Sequence, residues 1–176
     1  MDILKKWIPF ALLGTVALFL TYVSVQQEFR QSANDPQIQI AEDAARELAG
    51  DTIPSTLKSS PVSIELSLAP YTILFDGRGA PIVGTGYLHG SLPTLPSGVF
   101  DIARTKGEIR FTWQPETGVR SAVVIRSFET NKKAPGFILA GRSLREIEKR
   151  ETQLRNAVLL GWTGYLSLSF LLACFL

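Results

Sequence analysis

One histidine, His89, and one cysteine, Cys174, bound the chemistry open to this 176-residue sequence. Cys174 lies inside an uncharged apolar run, so neither an intrachain disulfide nor a cysteine-based metal site is available. His89 stands beside Gly90 with no carboxylate or thiol at ligand or triad spacing, and is expected as a surface or loop histidine. Gly77, Gly79, Gly84 and Gly86 follow an apolar strand, yet they miss the dinucleotide fingerprint, lack the P-loop lysine and serine, and open another strand instead of a helix. They read as a turn and a small-residue strand. No catalytic residue, metal or cofactor is predicted, and the chain is expected not to be an enzyme.

If a small molecule binds, the residues suited to hold it are Tyr71, Tyr87, Trp113, Arg120 and Arg126. Aromatic rings wall apolar pockets, and an arginine fork clamps a carboxylate through two hydrogen bonds. The plainer alternative puts the rings in a core and the arginines in solvent. Eighteen basic against sixteen acidic residues leave a net charge of +2 and no basic stripe, which sets nucleic acid aside.

The elements that would position these residues are marked by periodicity. Asn34, Asp35 and Pro36 signal a helix start, with Asp35 able to cap it; Ile38, Ala41, Ala45 and Leu48 recur at helical spacing, and Gly50 stops the run. Prolines 54, 61 and 70 mark a connection with one short helix expected at 62–68. YTILF (71–75), the turn DGRGAP and IVGTGYL (82–88) make a hairpin. A proline-marked loop then leads to a short helix at 99–105. EIRFTWQP and RSAVVIRS, joined by the turn ETG, form a second hairpin in which Ile109, Phe111 and Trp113 alternate with polar residues. GFILAG is a fifth strand, and a helix without a breaker runs from about Ser143 onward. The fold class is α+β: an antiparallel sheet of about five strands with helices on one face.

Two uncharged runs frame this domain, 7–25 and 157–176, each about the twenty residues that a helix needs to cross hydrocarbon. Trp7, Tyr22 and Trp162 lie toward their ends, at interfacial depth. A cleaved signal peptide is the rival for the first, but the run is long for one and no clear cleavage site closes it. The expected organisation is a cytoplasmic N-terminus at 1–6, a membrane helix at 7–27, a domain at 28–155 and a second membrane helix at 156–176. Lys5 and Lys6 favour a cytoplasmic N-terminus; Arg142, Arg145, Lys149, Arg150 and Arg155 before the second helix count the other way, but long domains translocate largely regardless of charge. Small residues that let helices approach closely in lipid are Gly14, Ala17 and Thr21 in the first run and Ala157, Gly161, Gly164, Ser169 and Ala173 in the second.

The membrane-proximal helix, the YTILFDGRGAPIVGTG hairpin, the FTWQP and SAVVIR strands and the GFILAGRSLREIEKRE exit together resemble the PAS/Cache-like extracytoplasmic sensor domains of two-pass bacterial receptors, the histidine kinases and chemoreceptors. The likeness covers most of 35–155. It implies a sensor placed outside the bacterial cytoplasmic (inner) membrane, with a possible small-molecule ligand. Such receptors continue into signalling segments, whereas this sequence stops at Leu176, so any signal is expected to pass to a membrane protein partner or a homo-oligomer. A structural or accessory subunit of a membrane complex, using the sheet as an interaction surface, is the second expectation.

Overall fold

A computed structural model describes residues 2–32 and 35–175, which divide into two compact units: 1–31 with 147–176, and 32–146. Asn34, part of the expected helix-start signal, lies outside the described residues.

The first unit holds α1 (Asp2–Ser32) and most of the last helix of the chain. In the second, α2 (Asp35–Ala49) opens with Asp35 inside its first turn. Gly50 ends it as expected, but the left-handed residue is Asp51, with φ 58°; the Thr52 amide closes the turn by donating to Glu47 O at 2.8 Å. The helix expected at 62–68 does not form. A 3-10 turn occupies Ser55–Lys58 instead, and Val62–Ser63 is a short strand, β1. The Val62 amide donates to Thr85 O and the Ile64 amide to Tyr87 O, so two β-branched residues that follow Pro61 find sheet partners in place of helical ones.

The main sheet is built from β2 (Tyr71–Asp76) and β3 (Pro81–Gly84), and, after the two-residue strand β4 (Gly86–Tyr87) and helix α3 (Ser97–Lys106), from β5 (Glu108–Glu116), β6 (Val119–Glu129) and β7 (Pro135–Ser143). The expected strand at 82–88 is thus cut in two: β4 leaves the main sheet to pair in parallel with β1. Thr85 makes the break, its amide donating to Thr72 O and its hydroxyl accepting from the Thr72 amide at 3.0 Å. The five main strands run in the order β3-β2-β7-β6-β5, all antiparallel. The last helix, α4 (Arg145–Phe175), follows.

Both faces of this sheet are covered. Ile73, Phe75, Val123, Ile125, Phe137 and Leu139 face Phe100 and Ala103 of α3, whereas Val124, Ile138 and Ala140 face Ala41, Ala44 and Ala45 of α2. The expectation of helices on one face is therefore corrected: α2 and α3 lie on opposite faces. Alternation shows why. β6 and β7 are apolar at odd and even positions alike, the pattern of strands buried on both sides, whereas edge strand β5 is buried only at alternate residues.

The β2–β3 turn is fixed by Asp76, whose carboxylate accepts from the Arg78 and Ala80 amides at 2.8 Å each. Those backbone donors, the Ala80 amide foremost, hold its acidity below the usual carboxylate range. Gly79, at φ 85°, takes a backbone conformation that side chains disfavour, and Phe100 packs where its Cβ would be.

Candidate functional site

The five residues predicted to hold a ligand are not brought to one place. Tyr71 is buried on β2, its ring lying over Gly141 and against Gly86, where a Cβ on either glycine would meet it. Burial raises its phenol to about 12, tempered by the neighbouring Ser121 hydroxyl, although neither buried oxygen closes a hydrogen bond. Trp113 belongs to the same core and borders a recess of about 510 Å³ with Leu88, Leu92 and Pro115. Tyr87 borders a different one of about 580 Å³, beside Ser63 and Glu65. Arg126 lies on the α2 side, with Glu108 at 3.0 Å and Glu42 at 3.9 Å. Arg120, exposed on β6, shares that parity, and its carbonyl accepts the Leu144 amide at 2.9 Å.

A polar node that the sequence did not advertise lies within the second unit. His89, at φ 49°, sets Nε2 at 2.9 Å from Glu116 Oε2 and Nδ1 at 3.1 Å from Glu65 Oε1. Its amide donates to Glu65 Oε1 at 2.9 Å, and the Ser63 hydroxyl donates to the other carboxylate oxygen. Glu116, chiefly through its hydrogen bond, raises the imidazole above its ordinary value; the Ser63 hydroxyl, with the His89 amide next, lowers Glu65. The Glu65 carbonyl in turn accepts from Arg145 Nη2 at 2.9 Å, and the Leu68 carbonyl accepts from Arg142 Nε at 3.2 Å. With the Leu144 amide on Arg120 O, three hydrogen bonds tie residues 142–145, the end of β7 and the first residue of α4, to the rest of the second unit. The partners of His89 lie 24 and 27 residues away, too far for any local pattern to pair them. The ring's two nitrogens are taken by different carboxylates, so the cluster is a bridge between chain segments and does not converge on an ion.

In the first unit α1 and α4 run antiparallel, and polar groups make their contact. Trp7 Nε1 donates to Ser169 Oγ and Trp162 Nε1 to Thr15 Oγ1, both at 2.9 Å. The hydroxyls pass the bond on, Thr15 to Ala11 O and Ser169 to Leu166 O. Tyr165 Oη donates to Phe10 O at 2.7 Å, and its ring fills the space where Gly14 lacks a side chain. Gly14 thus packs directly against Tyr165. Ala17, Ala157, Gly161 and Gly164 are exposed, with nothing within 4 Å of a Cβ placed on either glycine, and Ala173 is buried. Both helices are long and apolar enough to cross a bilayer, and their large apolar side chains point outward.

The fold defines two units, an α+β domain and a pair of long apolar helices. No protein-family model matches the chain, and no curated protein matches it.

Proposed function

We propose that this is a non-enzymatic two-pass membrane protein of the bacterial inner membrane, whose extracytoplasmic PAS/Cache-like domain senses a ligand or state and passes it through α4 to a membrane partner. The observation that carries this reading is the joint: β7, the central strand of the sheet, is separated from the 31-residue helix α4 by Leu144 alone. In this reading a shift of the sheet is delivered to a membrane helix as translation or rotation. Orientation rests on Lys5 and Lys6. A reporter fused at Lys132, in the exposed β6–β7 loop, should be labelled from outside the cytoplasm; labelling from inside refutes the orientation. Transmission is tested by replacing Glu148 and Lys149 with glycines. The expected result is loss of the partner's response with insertion and domain stability intact, and an unaltered response overturns the reading.

An accessory-subunit role is the second reading. Its support is Ile82 and Val83, 58% and 42% exposed on edge strand β3, an apolar edge suited to another protein's strand.

A further inference from the structure

The helix pair carries a groove that the proposed function does not use. Leu18 and Phe19 of α1 and Val158 and Leu159 of α4 wall it, and it encloses about 390 Å³. Tyr22 and Arg155 stand at one end. Arg155 is the last charged residue before the uncharged run of α4, and Tyr22 lies near the end of the uncharged run of α1. That places a cation and a phenol at interfacial depth, with the apolar walls extending toward the bilayer centre. Among the described residues, no acidic side chain lines the groove. Its occupant must therefore be apolar along most of its length and anionic at one end.

We propose that this groove holds one acyl chain of an anionic phospholipid, with the lipid phosphate on Arg155. A planar guanidinium presents paired donors to phosphate oxygens, and the aromatic flank suits the headgroup region. A partner helix fits less well, because close helix approach needs small residues and the Ala157–Gly161–Gly164 stripe does not line this groove. The opposite end repeats the design more loosely: a groove of about 500 Å³ beside Phe10, Tyr165 and Leu172 has Lys6 as its cation. The inference rests on the helices crossing a bilayer and is independent of the sensing role.

The test uses the full chain in phosphatidylcholine nanodiscs doped with a phosphatidylglycerol or a phosphatidylcholine probe carrying a photoreactive acyl chain, with labelled sites mapped by mass spectrometry. At 155–162 the anionic probe should label about fivefold more than the zwitterionic one, as ~1 kcal/mol per basic residue at a membrane surface implies. Arg155→Gln should abolish that preference and Arg155→Lys should keep most of it. Leu159→Trp, which fills the groove, should lower labelling by both probes. Equal labelling of the unaltered protein, a preference surviving in Arg155→Gln, or undiminished labelling in Leu159→Trp overturns the proposal; so does competition by soluble glycerophosphate, which would make this a free-anion site. Absence of labelling along both helices would remove the helices from the bilayer and the proposal with them.

Discussion

The domain and the helical hairpin are packed by opposite rules. In the domain, Phe75, Ile125, Phe137 and Leu139 are inside and charged residues such as Arg78 are outside. In the hairpin, Leu12, Leu13 and Leu160 are 64%, 69% and 78% exposed, while tryptophan N–H groups, hydroxyls and a tyrosine make the contact. The same physics gives both results. Where the surroundings are water, burying carbon drives packing; where they are hydrocarbon, carbon gains nothing by leaving them and helices associate through close fit and hydrogen bonds. The hairpin is the inverse of a soluble core.

The comparison breaks first at Trp113. Trp113→Ala should cost about 3–5 kcal/mol of domain stability in chemical unfolding, whereas Arg110→Ala, on the exposed parity of the same strand, should change it by less than about 0.5 kcal/mol. Equal effects would mean that β5 does not divide its faces this way. A smaller loss, about 1–3 kcal/mol, is expected for Ala41→Leu, because α2 approaches Val124 and Ala140 through alanines and has no room for more carbon. Tolerance of leucine there would show a loose α2 face.

In the hairpin the scale falls further. Thr15→Val keeps the shape but removes the acceptor of Trp162, and should weaken helix association in bicelles by about 0.6–2 kcal/mol. A stabilising effect, the outcome expected of a water-driven core, would contradict the contrast. The smallest effect is at His89, which is exposed. Its folded-state affinity for the proton is raised above the ordinary value, so the stabilisation from its bridge is fully present below about pH 6.5 and is lost as pH rises through the higher folded value. Thermal unfolding of the unaltered protein should lose stability relative to His89→Gln as pH rises above about 6.5, and parallel curves would deny the bridge its charge.

Legibility in the sequence followed the length of each pattern. Alternation in β5, the turn at Asp76, the unbroken apolar strands and the two long helices are periodic over enough residues to be read directly. The strands β1 and β4 have two residues each and pair across more than twenty, so no local signal separates them from loop. That the helices divide between two faces was present in the sequence as the non-alternating runs AVVI and FILA, which demand cover on both sides. The candidate ligand residues were chosen by type, and type does not fix the face: Tyr71 and Trp113 went to one core and Arg126 to the other side of the sheet. Gly14 and Gly161 look alike in sequence, yet only Gly14 meets a tyrosine.

The proposed transmission requires α4 to continue from β7 with no slack segment between them. Hydrogen exchange on the reconstituted chain measures this directly, because a fastened joint keeps its amides protected and a slack one does not. The amides of 144–156 should exchange slowly and as a continuous block, well behind those of the β6–β7 loop at 131–134. Exchange at 147–156 as fast as in that loop would contradict a rigid joint.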